Sequence, residues 1–433
     1  MSETLIIAII IFIIASFLVQ TELYRTHDFT NPFVIFVGFW GIIVLLAGMS
    51  LFGMEKVSFT TYVYVFIGLM FFAISWFLYE SLPKVTIKQT KNWRFDTFKY
   101  PILWVILIVC FIFYLYYSWC TLERLLSGYS YVDIRNIHQG YVEELAFENK
   151  VLSLMGFVFC APIVKSAFAI VAVNYFRRRE GRDLLILSSV CILLEFFSTA
   201  SRFSLIYVIL IFFILLLKYR ETLQKKTRKR IIYIVVILGI VVFVMVWLRS
   251  LGKSTSVFYN ISETLYHYLA SPIPLLNEKI KAFGSTNGHT YGKMFIYGFL
   301  DLFDSVLKYM KIASWDFLSN AKFFIMDNER FVRIYKNHNF NAFVSIFYYF
   351  YIDFGVPGIA LGSAIWAFLL HYVYDKYKSS EDIGVIAIFC EFVFFIILSG
   401  IRWPFSTLNG VLLVLYTLWL TSGVQIKYRL RRN

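Results

Sequence analysis

The chain has 433 residues, of which 59% are hydrophobic and 16% charged, and its formal net charge is +14. An ordinary soluble domain carries about a quarter charged residues, so this composition excludes that class and indicates a polytopic membrane protein. The positive balance does not make a nucleic-acid binder, because lysines and arginines gather in alternate short loops between apolar runs.

Apolar runs near the ~20 residues that cross ~30 Å of hydrocarbon begin at residues 5–19. Met1-Ser2-Glu3 lacks a basic n-region and no small-residue cleavage site follows, so this first run is expected to be a retained span. Further runs lie at 32–52, 62–79 and 102–119, and after a loop at 120–150 at 151–176, 184–200, 203–217 and 231–248. Residues 249–340 then form a long loop of mixed polarity. It is followed by an apolar, aromatic segment broken at Asp353, Gly355, Pro357 and Gly358, and by runs at 383–398 and 408–426. With 342–373 taken as one crossing, eleven spans are expected. The fold class is all-α, a polytopic helix bundle with one large outer loop. Its stretches are 1–248, 249–340 and 341–433.

Under the alternation of eleven spans, twenty-three basic residues fall in the loops of one side and six in the short loops of the other. The positive-inside rule then puts the amino terminus outside, the carboxyl terminus inside and the large loop outside. Arg177-Arg178-Arg179 and the cluster from Lys225 to Arg230 read as topology signals and headgroup contacts. Five cysteines lie in or beside spans without CxxC spacing, so neither a disulfide framework nor a zinc site is expected.

Ionisable residues inside spans are costly, and Lys165, Glu195, His371 and Glu391 are of that kind. Lys165 and His371 fit snorkelling or bundle-lining roles. Glu195 precedes Arg202 by seven residues, so a continuous helix would put both on one face and let the carboxylate steady the arginine. Three arginines go against the charge trend on the outer side: Arg135 in the 120–150 loop, Arg202 in Ser198-Thr-Ala-Ser-Arg202, and Arg402 in Gly400-Ile-Arg-Trp-Pro404. Guanidinium presents a planar fork that stays charged and matches phosphate oxygens two at a time, so the three point to an anionic ligand.

Within the large loop, Phe295, Ile296, Phe299, Leu300, Phe303, Val306, Leu307 and Met310 recur at helical spacing. They predict an amphipathic helix over about 291–312, on the bilayer or capping the bundle. Aromatic faces with neutral hydrogen-bonding groups suit sugar rings, making Tyr268, His289, Asn341 and Tyr351 candidate sugar contacts. His289, His338 and, less so, His267 are the loop imidazoles able to titrate near neutrality. HExxH, GxxxxGK[ST], a GxSxG triad and a two-metal carboxylate cluster are all missing from the sequence. No metal or cofactor is expected, and catalysis would rely on positioning and electrostatics.

Several of these features together resemble the Wzy-type oligosaccharide repeat-unit polymerases of O-antigen and capsule synthesis. They are Arg135 after a Gly/Ser-rich loop, the Ser-Arg turn at Arg202, Tyr268-Leu-Ala-Ser-Pro-Ile-Pro274, and above all Asn341-Ala-Phe with Tyr351-Ile-Asp-Phe-Gly and Pro357-Gly358 after one long loop. The resemblance covers roughly residues 135–402 and implies a GT-C-like membrane glycosyltransferase in the bacterial inner membrane. It implies transfer of the growing glycan from undecaprenyl pyrophosphate to the non-reducing end of a new lipid-linked unit, alongside a flippase and a chain-length regulator. Arg135, Arg202 and Arg402 would then hold the departing pyrophosphate. His338 and Asp353 would be candidates for the base that receives the acceptor proton, although Asp353 fits equally well as a cap at the helix break. Alternatives are an O-antigen ligase-like transferase, a flippase or transporter of the same lipid, and a non-catalytic membrane scaffold. A transporter carries its polar groups near the midplane of its spans, whereas the arginines here concentrate at the outer mouth.

Overall fold

The computed structural model describes residues 3–82, 93–94, 96–138, 150–250, 257–283, 288–309, 316–335, 339–340 and 343–424. Its helices are α1 (Glu3–Thr26), α2 (Pro32–Met49), α3 (Phe59–Ser81), α4 (Tyr100–Leu126), α5 (Tyr131–His138), α6 (Lys150–Leu154), α7 (Ala161–Arg178), α8 (Arg182–Thr199) and α9 (Arg202–Lys218). They continue with α10 (Lys225–Ser250), α11 (Val257–Ala270), α12 (Pro272–Phe283), α13 (Tyr297–Tyr309), α14 (Ser319–Asn328), α15 (Ile346–Ser379), α16 (Ile383–Leu398) and α17 (Leu408–Thr421). Among the described residues the strands are two-residue ladders, β1 (Trp93–Arg94) with β4 (Gly423–Val424) and β2 (Val332–Arg333) with β3 (Asn339–Phe340), both antiparallel. The molecule is an all-α membrane helix bundle.

Six helical runs are long and apolar enough to cross a membrane: α1, α2, α3, α4, the run Val151–Arg178 that contains α7, and α15. Every one of the eleven segments expected from the sequence is largely helical, but the other five fall outside this set. For three of them the physical reasons are local. Arg182, Asp183 and Glu195 put three charges in α8, and α16 and α17 have 16 and 14 residues, short of the ~20 that span hydrocarbon. The last segment, expected to run to residue 426, stops being helical at Thr421, and Gly423 and Val424 pair with β1 instead.

Contacts divide the chain into two units that cut across the linear partition. The first comprises Met1–Lys84, Phe243–Asp375 and Phe392–Val411, and the second Val85–Val242, Lys376–Glu391 and Leu412–Asn433.

In the first unit α1 and α2 approach closely because small residues face each other: Gly41 opposite Ala15 and Gly48 opposite Ala8. Lipid tails are as apolar as leucine, so such close packing and interhelical hydrogen bonds hold membrane helices together. Aromatic rings fill the next seam, with Phe36 on Phe72 at 4.2 Å and Trp40 on Phe347 at 4.6 Å. The Trp40 indole donates to Ser399 Oγ at 3.0 Å, worth about 0.6–2 kcal/mol in this medium. One end of the unit carries a charged group in which buried Glu22 accepts from Arg25, Asn31 Nδ2 (2.7 Å) and Trp76 Nε1 (3.2 Å). There His371 is buried between the rings of Trp76 and Tyr79 and meets Glu80 at 3.2 Å, which makes it a bundle-lining group.

The opposite end is covered by α11 to α14 and the residues around them. Tyr266 donates to Leu46 O at 2.6 Å and accepts from Leu51 N at 2.9 Å, fixing α11 to the end of α2. Asn277 Oδ1 accepts from Ser58 and Thr61, fixing α12 to the start of α3.

In the second unit α4 packs on α8, joined by Ser118 Oγ and Ser198 Oγ at 2.9 Å. A π-helical turn, Met155–Cys160, precedes α7, and its Gly156 leaves room for the Phe113 ring. Tyr207 donates to Lys165 O at 3.0 Å, and Glu391, fully buried, accepts from Thr417.

Candidate functional site

The broken segment folds into α15 with Phe354 (φ −145°, ψ 20°) and Gly355 (φ 65°, ψ −142°) outside helical geometry. Gly355 occupies left-handed space that a side chain rarely tolerates. In an unbroken helix residues eight apart lie about 12 Å apart along the axis. Here a Cβ on Gly358 would overlap the Phe350 carbonyl and one on Gly362 would overlap the Phe350 ring, so the chain doubles back at the break.

Asp353 stands immediately before that break and is 3% exposed. One carboxylate oxygen accepts from Thr290 Oγ1 (2.5 Å) and Met294 N (3.0 Å), the other from Phe295 N (2.9 Å). Backbone bonds reinforce the join, from Thr290 N to Ile352 O (3.1 Å) and Tyr291 N to Asp353 O (3.2 Å). Both oxygens are thus committed to the 288–297 turn, and the carboxylate caps amides that precede α13. For the same reason the amphipathic helix expected at 291–312 begins only at Tyr297, while 310–312 lies outside the described residues. That helix shows Phe299 and Phe303 at its surface and turns Asp304 inward to pair with Lys322. Gly298 makes the packing possible, since a Cβ there would meet Phe405 O at 2.8 Å.

From this turn a second link reaches Arg402. The Trp403 indole donates to Phe295 O at 2.6 Å and its ring stacks on Phe295 at 4.7 Å. Asp353, Phe295 and Trp403 therefore set the position of the residue next to Trp403. Arg402 Nη2 meets Glu329 Oε1 at 2.8 Å, with side-chain exposures of 28% and 32%. Beneath the pair, buried Tyr349 lies beside Arg402, Glu329, Asn328 and Ser406. Asn328 is 1% exposed, and its side-chain amide lies against the Tyr349 hydroxyl. Lys279 holds this corner by donating to the Asp327 carbonyl and to its carboxylate Oδ2, the latter at 2.6 Å.

Among the expected sugar contacts, His289 and Tyr351 come together. His289 Nδ1 faces Ile352 O at 3.1 Å, and its ring lies 5.0 Å from Phe283 and 6.3 Å from Tyr351. Phe283, Tyr351 and Tyr64 extend this into a half-exposed aromatic wall. Tyr268 belongs to a different group, packing on Phe340 and Phe343. His267 is buried against Tyr335 at 3.7 Å, an enclosed ring rather than a solvent-facing one. His338 and Asn341 lie outside the described residues.

Arg135 and Arg202 belong to the second unit, whereas Arg402 belongs to the first. Arg135 lies on α5, which starts with a reciprocal cap: Ser130 N and Oγ donate to Asp133 Oδ2 at 2.9 and 2.7 Å, and Asp133 N donates back at 3.2 Å. These bonds hold the Asp133 carboxyl below the usual carboxylate range. Arg202 is the first residue of α9. The continuous helix that would align it with Glu195 does not form, because α8 ends at Thr199 and Ala200 is left-handed (φ 53°). Glu195 instead pairs with Lys165 at 2.5 Å, which satisfies a charge that lipid would not tolerate alone.

Glu329, Asn328 and Tyr349 are the functional candidates that sequence reasoning missed. Elsewhere, a recess of about 430 Å³ between α1 and α3 is walled by Ile6, Ile10, Val63 and Phe66, and its apolar lining is suited to a lipid chain rather than to chemistry. Among the described residues, no group of three or more His, Cys, Asp or Glu side chains is arranged to hold a metal ion. Comparison of the chain with protein-family models, curated proteins and solved structures finds no match.

Proposed function

We propose that this membrane protein joins lipid-linked oligosaccharide repeat units, transferring a growing glycan from a polyprenyl pyrophosphate to a new lipid-linked unit at the outer membrane face. The observation that carries the reading is the group at Arg402. A guanidinium and buried hydroxyl and amide groups gather under a helical cap, and an aromatic wall stands in the same unit. Arginine donors placed where a leaving diphosphate accumulates charge lower the barrier without a proton transfer to that group. Arg135 and Arg202, both in the second unit, remain candidate anion contacts in their own right, and in this reading the Phe283, His289 and Tyr351 wall receives sugar faces. Asp353 acts as a positioning residue, holding Phe295 and through it Trp403 and Arg402.

Purified protein given undecaprenyl-pyrophosphate-linked repeat units should yield a ladder of glycans of increasing length. Arg402→Ala should reduce ladder formation by about a hundredfold or more with normal membrane insertion, as expected when a transition-state donor is removed. Arg202→Ala should behave alike, and near-wild-type ladders from both would defeat the proposal. A second reading, transport of the same lipid, is favoured by the Lys165–Glu195 pair and by Glu391, which lie within helices of the second unit with both carboxylates buried. Translocation in vesicles with no new linkage would favour it.

A further inference from the structure

Helix α13 is inside out for a segment that stands in water. Ile296, Phe299 and Phe303 form an exposed stripe along it, Phe303 to 59%, with half-buried Leu300 and Leu307 at its edge. Its charge points the other way: Asp304 is 1% exposed and pairs with Lys322 on α14. An amphipathic helix at a boundary with water turns its charges out and its apolar stripe in. Leaving one phenylalanine in water instead of burying it forfeits about 1.5–3 kcal/mol, so the observed arrangement is favourable only where the medium outside is apolar. The depth of α13 follows from what it rests on. Gly298 lies against the carbonyls of Phe405 and Thr407, and Phe299 stacks on Phe405 at 6.0 Å. Phe405 belongs to the short turn between α16 and α17, and Phe395 on α16 extends the aromatic row at 5.5 Å. Helices of 16 and 14 residues reach about 24 and 21 Å, less than the ~30 Å of hydrocarbon. A turn that joins two such helices stays at lipid level, and so does a helix laid across it.

We propose that α13 is an interfacial helix whose outward face, Ile296, Phe299 and Phe303, is embedded among the phospholipid acyl chains of the adjacent leaflet. Embedding of this kind goes beyond the glycan reading and does not depend on it. The ion pair between Asp304 and Lys322 then lies on the protein side of the helix, where a charge is satisfied without water. The consequence is a fixed depth for the cap. Phe295, which shortly precedes α13, accepts from Trp403 Nε1, so the embedded helix also holds that indole near the headgroup boundary.

The test uses the full chain in phosphatidylcholine nanodiscs, with Cys120 replaced by Ser. Cys110, Cys160, Cys191 and Cys390 are fully buried, so a thiol-reactive nitroxide reaches only an introduced cysteine. Phe303→Cys and, separately, Ile296→Cys are labelled, and relaxation by oxygen, which partitions into hydrocarbon, is compared with relaxation by a water-soluble nickel complex. Oxygen should dominate at both positions, at a depth of about 5–10 Å into the headgroup and acyl boundary. Should one substitution prevent folding, the other alone decides. Dominance of nickel at either position places the face in water and overturns the proposal. Shielding from both relaxants also overturns it: dipolar broadening that disappears on dilution with unlabelled protein then assigns the face to a second copy, and its absence assigns the face to the chain's own cover.

Discussion

Asp353 was visible in the sequence as an acid among aromatics, but its task was not, because its partners Thr290, Met294 and Phe295 lie about sixty residues earlier. Local pattern carries no information about a carboxylate that caps a distant turn. Arg402 was legible for a different reason: it goes against a charge rule that acts on whole loops. Its partner Glu329 was not, since an acid in a long polar loop looks like any solvated residue. Replacing Asp353 by Ala leaves a hydroxyl and two amides without their acceptor, at about 1–3 kcal/mol for each buried donor. Asp353→Ala should therefore lower stability by roughly 3 kcal/mol or more, read as thermal unfolding in detergent, and should reduce activity through displaced Trp403 and Arg402. A variant melting like wild type would mean that the carboxylate is not the tie described.

At the scale of the element, α15 shows what glycine and proline spacing can and cannot reveal. Asp353, Gly355, Pro357 and Gly358 marked a break, and the break is there. Its direction depends on Gly358 and Gly362 lying against Phe350, a tertiary contact that spacing cannot express. Gly358→Ala should cost about 1–3 kcal/mol because the methyl meets backbone that cannot step aside. Gly239 on α10 has open space around it, and Gly239→Ala should be neutral or stabilising by up to ~1 kcal/mol. Equal effects at the two positions, measured by thermal unfolding, would contradict the doubled-back geometry. The expected amphipathic helix erred at its start because amide capping by Asp353 delays it to Tyr297.

Over the whole molecule, hydropathy located the helices well, because lipid demands that every spanning backbone satisfy its own hydrogen bonds. Hydropathy said nothing of which helices belong together, and the two units interleave along the chain. The orientation inferred from charge is open to a direct measurement with Cys120 replaced by Ser. Met326→Cys, 70% exposed on α14, should react with an impermeant maleimide in intact cells, and Lys226→Cys only after permeabilisation. The reverse pattern would invert the orientation and move Arg402 to the cytoplasmic side.

The hydrogen bond between Trp40 and Ser399 also sets a schedule for biogenesis. Its partners are separated by 359 positions, so at about 5–20 residues per second α2 is made roughly 20–70 s before Ser399 exists. During that interval the Trp40 indole and the seam facing Phe347 have only lipid, insertion machinery or a chaperone beside them. Maturation of the first unit is thus timed by the last hundred residues of the chain, and a nascent protein halted before α16 would be inserted yet unable to close its own core.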